Sequence, residues 1–591
     1  MSTADTQSLT PIVRIGGSEI PEDWLHNLIE VRIERSLHMP SRATVRFLDP
    51  GYKLLSAMSY QLGTPLVVKA PKGGGLLITA ELTGFSADQM GGDTPEFVLT
   101  ADDRSHRLGR NTQTRAFSKS SYSEAVKKLA AGVGLVATVK DTGQKFDSFF
   151  QMGTDLEFLD EMARRTGYDW WVDERGELHF EPPSSSATVQ VTLGGDLSAF
   201  SVSGLGLVPD EIVVTGWDRS AMKKVASTAT PSSSELVAKG AIAKLLHKGK
   251  AFGGSKLVTG SLGAMSAAEA KTLGAALMRQ AQYGAVRATG TCTGNANIKP
   301  GITVDVAAAG PLSGSYHVSG VEHIYRKGGL STKFTAGDHI PTGLVDKLGG
   351  GGGGHSMGGV QLPALTVGVV TNNNDPEGMG RVKVKFPLSD VESDWCRTLI
   401  LGGGPGRGSA WLPEVKDEVL VGFEGGDMRQ TVVLGGLPSQ SSKHATWEVK
   451  DGKASKRGFT TRTGHVLEFV EKGGMGTKGH ILLGNADKKT KLRVGEDSLD
   501  IDVPMGNPLN IKVGSTTIGV DKQGSLNIES ALHIKMVAKG NLTIEALAIE
   551  MKAQTTLKAK GGVGIELKGG AQAELSAGGM TAVKGAMVQI N

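Results

Sequence analysis

Apolar and polar residues alternate along several short segments of the first 345 residues. The segments are residues 29–33, 43–48, 66–69, 97–100, 211–215 and 318–324. A period of two places alternate side chains on opposite faces of a strand, so each segment predicts a short strand. Strands therefore dominate the fold that we predict for this part of the chain.

Three helices are predicted to interrupt these strands. Residues 123–135 repeat apolar side chains with the helical period. Thr154 and Glu157 have the spacing of a capping box, and Ser266 and Glu269 have the same spacing, so a helix is predicted to start at each pair. Strands with interspersed helices predict two small barrels or half-barrels rather than a parallel α/β sheet.

A run of six glycines at residues 349–354 predicts a flexible linker over residues 346–359. Beyond it, glycine, proline and aspartate turns separate five short alternating segments. These segments are residues 366–371, 380–386, 397–401, 418–423 and 431–434. Five strands of this length predict an OB-type barrel over residues 360–440.

The chain from residue 441 to its end shows a repetition of short strands. One set of apolar residues shares a parity: Leu526, Ile528, Leu532, Ile534, Met536, Leu542 and Ile544. A second set has the opposite parity after a predicted bulge or turn near Ala546: Leu547, Ile549, Met551 and Leu557. A single chain would leave this apolar stripe uncovered and its strand edges unpaired. We therefore predict that several copies wind around one axis.

Composition and charge reduce the number of function classes that fit this chain. Glycine supplies 83 of 591 residues, which suits short strands and tight turns. The net charge of +4 is too small to indicate a nucleic-acid binder, and two distant cysteines, Cys292 and Cys396, indicate no disulfide framework. The N-terminus lacks a basic segment followed by an apolar one, so we expect synthesis in the cytoplasm without a signal peptide.

The middle unit resembles the OB domain of the valine-glycine repeat (VgrG) spike family and of phage baseplate spikes. The resemblance rests on VGVVTNNNDPEGMGRVKVKFP and on SDWCRTLILGGGPGRGSAWLPEVKDEVLVGFEGGDMRQTVVLGGLPS. The matching residues that we predict to shape the barrel are Asp375, Gly380, Arg381, Pro387, Trp395, Pro413 and Asp427. Residues of these types serve turns and core packing more often than chemistry.

The segment GTDLEFLDEMARRTGYDWWVDERGELHFEPP is similar to the hub domain of the same family, which is related to phage late control protein D. Three hub subunits of that family, each with two similar barrels, form a ring of six barrels. The resemblance thus implies that residues 1–345 adapt a sixfold tube to a threefold spike.

The resemblance also implies a mainly β fold, with a C-terminal intertwined trimeric β-helix needle over residues 441–591. In the family, a PAAR-repeat cone protein covers the end of the needle. We accordingly predict a tip-protein interface at the last apolar residues, Met587, Val588, Ile590 and Asn591. No lysozyme or effector domain interrupts or extends the predicted needle, which favours an extracellular contractile injection system over type VI secretion.

These features predict a non-enzymatic, homotrimeric central spike and hub of a contractile, phage tail-like injection machine. The expected partners are inner tube and baseplate proteins at the hub, a PAAR-like protein at the tip and a toxin cargo, with transient contact with the target membrane. We expect no nucleic acid, cofactor or metal. A type VI secretion-like effector carrier is an alternative. A receptor-binding fibre is a weaker one, because no terminal adhesin-like domain is visible.

One motif suggests an enzyme. Residues 354–358 match the G-x-S-x-G elbow of serine hydrolases, with Ser356 as the nucleophile. That elbow requires an apolar strand before the serine and a helix after it, whereas glycines precede this one. The thirteen histidines lack metal-ligand spacing, and we expect His317 and His323 to be surface or core residues.

Overall fold

The computed structural model describes residues 10–71, 74–89, 94–184, 188–204, 206, 208–218, 222–232, 253–327, 329–337, 365–387, 391–404, 406–424, 427–440, 448–471 and 478–590. The chain divides into two compact units, Met1–Lys443 and His444–Asn591. It is 45% strand and 13% helix, so the predicted mainly β class is confirmed. The predicted linker and Ser356 lie outside the described residues.

The first unit begins with strands that precede residue 340. They are β1 Ile12–Ile15, β2 Ser18–Glu19, β3 Leu28–Ser36, β4 Arg42–Leu48, β5 Pro65–Lys69, β6 Leu76–Asp88, β7 Glu96–Asp102, β8 Thr112–Ser121, β9 Ala137–Val139, β10 Lys145–Thr154, β11 Asp169–Val172, β12 Leu178–Glu181, β13 Thr188–Thr192, β14 Leu197–Gly204, β15 Glu211–Asp218, β16 Lys223–Ala229, β17 Lys256–Ala264, β18 Val286–Thr293, β19 Thr303–Ala307, β20 Gly314–Arg326 and β21 Gly329–Ala336. The five described α-helices are α1 Glu22–His26, α2 Lys53–Ser56, α3 Tyr122–Gly132, α4 Asp155–Thr166 and α5 Ala267–Tyr283.

A sheet of 13 strands joins two cores in this part of the chain. Its strand order is β14-β18-β21-β20-β3-β4-β7-β6-β5-β1-β2, with β13 and β19 attached beside β20. Strands β1 and β3–β7 pack around Phe47 and Phe97, and the later strands pack around Tyr316 and Phe334. The sheet is continuous because β20 pairs antiparallel with β3. Each of the two predicted halves thus has a core of its own.

Helices α3 and α4 cover a smaller aromatic core. Phe117, Phe149 and Phe158 stack there, with ring centroids 5.1–6.1 Å apart. Trp170 on β11 is fully buried in the same cluster. Helix α5 packs separately on the three-stranded sheet of β15, β16 and β17.

Local signals fix the starts of the helices. Thr154 accepts from the backbone N–H of Glu157 and the Glu157 carboxylate accepts in return, so the predicted capping box is present. Helix α3 begins one residue earlier than predicted, because Ser121 forms an unpredicted capping box. Ser266 caps α5 as predicted, but the Glu269 carboxylate accepts from the N–H of Met265 rather than completing a box.

The barrel-like sheet of the middle segment has the order β24-β23-β22-β28-β29-β25. The strands of this segment are β22 Leu365–Asn372, β23 Lys383–Phe386, β24 Val391–Glu392, β25 Arg397–Thr398, β26 Gly403–Gly404, β27 Arg407–Gly408, β28 Glu418–Phe423 and β29 Thr431–Gly436. All five predicted strands are present. Two are shorter than predicted, since Gly380 turns with a φ of +70° before β23, and the chain leaves the sheet after Thr398.

The second unit contains only β-structure among its described elements. Its strands are β30 Val449–Lys450, β31 Lys453–Ala454, β32 Lys456–Thr460, β33 Val466–Val470, β34 His480–Gly484, β35 Lys491–Gly495, β36 Leu499–Asp502, β37 Leu509–Val513, β38 Thr516–Val520 and β39 Leu526–Glu529. Strands β32–β36 form one antiparallel meander and β37–β39 a second. Residues 530–590 show bends but no strand, whereas the alternation predicts strands there.

Candidate functional site

One face of the β32–β36 meander is apolar across all five strands. Residues directly opposite each other on paired strands share a face. The pairing aligns two rows, which we call the apolar face: Phe459, Leu467, Leu483, Leu492 and Ile501, and beside them Phe469, Ile481, Val494 and Leu499. Every member is exposed or half-buried, and Leu483 and Leu499 are 55% and 64% exposed.

The opposite face of the same meander carries most of its charged groups. Arg493 lies opposite Asp500 and contacts its Oδ2 at 3.2 Å, and Lys491 reaches Asp502 at 3.3 Å. Leu482 also lies on this face, between Glu468 and Arg493. The sheet is therefore amphipathic, with most of its charged groups on one face and the apolar rows on the other.

The second meander repeats this arrangement. Ile511 lies opposite Ile518, which in turn lies opposite Ile528 on β39. Leu509, Val520 and Leu526 form a parallel row on the same face. The apolar pattern that alternation predicts from Leu526 onward therefore begins about 70 residues earlier in the chain, at Phe459.

The apolar side chains continue to the end of the described chain. Among the predicted tip residues, Met587 and Ile590 are 85% and 90% exposed and Val588 is about half exposed, while Asn591 lies outside the described residues. Soluble monomers rarely expose contiguous apolar patches larger than a few hundred Å². A chain with two apolar sheet faces and a long apolar stripe therefore needs something to cover them.

Asp375 and Arg381 organise the turn between β22 and β23. The Arg381 guanidinium donates to both carboxylate oxygens of Asp375, at 2.7 and 3.0 Å, and the N–H groups of Glu377, Met379 and Arg381 donate to the same carboxylate. Arg381 holds the pKa of the Asp375 carboxyl far below its usual range. These hydrogen bonds hold the turn between β22 and β23 in place.

The other residues predicted to shape the barrel are spread over it. Trp395 lies under the Lys383 ammonium, 5.5 Å from the ring centroid. The Pro413 carbonyl accepts from the side chain of Asn373 at 3.2 Å, and Pro387 is exposed in the turn after β23. The structure brings these residues to turns and strand ends and gathers them into no single pocket.

The family that matches this segment is described as the type VI secretion system/phage-baseplate injector OB domain, at residues 366–437. Residues 366–437 are thus similar to this family, and we call them the injector OB domain. The predicted resemblance to VgrG-like spikes is thereby confirmed. The Alg8 N-terminal domain also matches, at residues 87–327, and each of these matches covers less than half of the chain. A comparison with curated protein sequences finds no significant match.

Solved structures of tail and secretion proteins are similar to the chain that carries the injector OB domain. The c3393 protein of the E. coli type VI secretion system is 16% identical, with a TM-score of 0.42, over 72% of this chain and 99% of its own. The Francisella PdpA–VgrG complex is 7% identical, with a TM-score of 0.46, over 88% of both chains. The 43 kDa tail protein of prophage MuSo2 from Shewanella oneidensis is 16% identical, with a TM-score of 0.44, over 55% of this chain and 97% of its own.

Asp427 lies where the injector OB domain contacts α5. Its carboxylate accepts from the guanidinium of Arg429. Burial raises the pKa of the Asp427 carboxyl, but the hydrogen bonds and charge of Arg429, together with the charge of Arg165, hold this pKa below its usual range. Arg429 also donates to Glu269 on α5 at 2.7 Å. Arg429 was absent from the predicted residues, because its partner on α5 lies 160 positions away and no local pattern indicates the pair.

Two histidines that were expected to be surface or core residues are both buried. His323 Nδ1 lies 2.9 Å from Thr332 Oγ1. Burial lowers the pKa of His323 to about 3, and the nearby Arg35 and Lys299 act in the same direction. His317 stacks on the ring of Tyr283, with centroids 5.5 Å apart.

A cluster of Asp173, Glu177 and His179 has the composition of a metal site. Its groups already have partners within the chain. Asp173 accepts from the N–H of Glu177, Glu177 accepts from Thr138, and the His179 ring lies 3.0 Å from Glu181. These contacts stabilise the turn of the β11–β12 hairpin, and they explain why the three side chains lie close together.

No described helix is long and apolar enough to cross a membrane.

Proposed function

We propose that this chain is the homotrimeric central spike and hub of a contractile injection machine. The observation that carries the proposal is the apolar face of the second unit, in a chain that contains an injector OB domain. Copies that meet over these faces would remove the apolar rows from water and leave the Arg493–Asp500 face outside. Three is the number that the resemblance to VgrG-like spikes implies.

Residues 530–590, which form no strand in the structure, fit the same assembly. Their alternation favours strands, and a strand is stable only when a neighbouring strand pairs with it. Neighbouring copies wound around a common axis would supply such strand pairing. The solution mass of the full chain tests this step, because it separates three copies from one or two.

The proposed action is mechanical. A contracting sheath would supply the work, and the needle would concentrate that force on a narrow point of the target envelope. The first unit would contact the inner tube and baseplate, so the chain would act as a component of a phage tail-like particle. Such an action requires no catalytic residue, cofactor or nucleotide.

The apolar end of the chain is the proposed dock for a PAAR-like tip protein. Deleting residues 587–591 removes the exposed Met587, Val588 and Ile590. We expect this deletion to abolish co-purification of the tip protein without changing the mass of the spike itself. Equal recovery of the tip protein with the full and shortened chains would contradict this dock.

Two other functions are separable by experiment. A type VI secretion-like effector carrier would use the same trimer and would differ in the cargo that co-purifies with it. A serine hydrolase would require Ser356, which lies outside the described residues. Labelling by a fluorophosphonate probe that is lost in Ser356→Ala would favour the hydrolase, and no labelling would exclude it.

A further inference from the structure

Arg429 is an almost fully enclosed cation in the contact between the injector OB domain and the N-terminal part of the first unit. Its side chain is 4% exposed. One terminal nitrogen donates to Asp427 at 2.6 Å and the other to Glu269 on α5 at 2.7 Å. The guanidinium also lies over the ring of Phe146 on β10, 5.3 Å from its centroid. A single side chain thus joins the OB domain to two elements that precede it.

Glu269 is held in place from its own side of the contact. Its second carboxylate oxygen accepts from the N–H of Met265, and its backbone N–H donates to Ser266. The carboxylate that receives Arg429 is therefore part of the start of helix α5. Because both partners are rigidly positioned, the pair loses little side-chain entropy when it forms.

A small cavity lies beside the pair. Its volume is about 30 Å³, and Glu269, Tyr122 and Arg165 are among the residues that line it. A cavity of this size is large enough for a water molecule. Another contact between the injector OB domain and the preceding part of the first unit is the edge-on packing of Phe150 against Phe386, with ring centroids 6.5 Å apart.

We propose that Arg429 is a latch that holds the injector OB domain and the preceding part of the first unit together as one body. Removing the guanidinium would leave the buried carboxylates of Asp427 and Glu269 without the cation that bridges them, although Arg165 lies near Asp427. A buried ion pair that loses one partner is strongly destabilising, although the intact pair adds little net stability. The latch lies wholly within Met1–Lys443 and does not depend on the spike proposal.

The test introduces a specific protease site at residues 349–354 of the full chain, within the predicted linker. After cleavage of the otherwise unchanged protein, we expect the hub fragment to stay bound to the fragment that carries the OB domain. Arg429→Met should weaken this retention by about 100-fold, measured by dilution and size exclusion. The matched control is Arg397→Met, which removes an exposed ion pair with Glu424 in the same domain and should leave retention unchanged.

Glu269→Gln keeps the test decisive if Arg429→Met fails to fold. The amide oxygen of glutamine still accepts from Met265, so helix α5 keeps its start while the charge opposite Arg429 is lost. We expect weaker retention with this variant too, with a circular dichroism melt as the check on folding. Retention equal to that of the unsubstituted protein in every folded variant would overturn the latch.

Discussion

Leu483→Asp is expected to convert the assembled protein into single chains, with about a threefold fall in mass. Leu483 lies near the centre of the apolar face, between Leu467 and Leu492 on neighbouring strands. In the assembly, each copy would place a new carboxylate in an apolar interior, where an unpaired charge is strongly disfavoured. In a single chain the same residue is 55% exposed, so the fold of one chain should survive. Light scattering after size exclusion measures the mass.

The adjacent residue supplies the control for this prediction. Leu482 lies on the opposite face of the same strand, between Glu468 and Arg493. Leu482→Lys introduces a charge opposite the carboxylate of Glu468, on the face that already carries charged groups, and should leave the assembly intact. If both variants dissociate, any charge in β34 disrupts the assembly, and the result does not identify the apolar face as the contact surface. If neither does, the apolar face is not where the copies meet.

The second large effect that we expect is a loss of stability of the folded chain at acidic pH. The pKa of His323 in the folded chain is about 3, below its ordinary value of about 6.5, because the ring is buried and Arg35 and Lys299 lie nearby. Between these two pH values His323 is protonated in the unfolded chain but neutral in the folded chain. The free energy of unfolding therefore falls as the pH drops from 6.5 toward 3. Each pH unit in this window lowers the free energy of unfolding by about 1.4 kcal/mol. Lowering the pH from 7 to 5 should therefore lower it by about 2 kcal/mol through this residue.

His323→Gln should remove that loss while lowering stability at neutral pH. Native-state hydrogen exchange of β20 and β21 at the two pH values measures the difference. Thr332→Val is the control, because it removes the partner of the ring yet keeps the imidazole, and should preserve the acid loss. Equal acid losses in the His323→Gln variant and the unsubstituted chain would contradict the assignment.

Features that depend on neighbours in the sequence could be predicted. The capping box of Thr154 and Glu157 and the turn at Asp375 and Gly380 arise from contacts within six residues, so a local pattern is sufficient. The OB-type barrel followed from five short strands and their turns. The division into domains at residues 345, 359 and 440 stays a prediction.

Features that depend on distant contacts could not be predicted. Glu269 completes no capping box because Arg429, far along the chain, takes one of its oxygens. The apolar face was missed for a different reason. Its strands alternate as regularly as the stripe after Leu526, but only their register shows that Leu467, Leu483 and Leu492 form one row. A count of alternating residues from Phe459 onward would have predicted the strands, but not the row that they share.

The mass of the full chain in solution tests the central claim most directly. Three copies of 61.7 kDa give about 185 kDa, and the proposed spike predicts this value across a wide dilution range. A dimer near 123 kDa would bury the apolar faces in another way and would exclude the threefold needle. A stable, folded monomer of 61.7 kDa would leave those faces in water and would contradict the account.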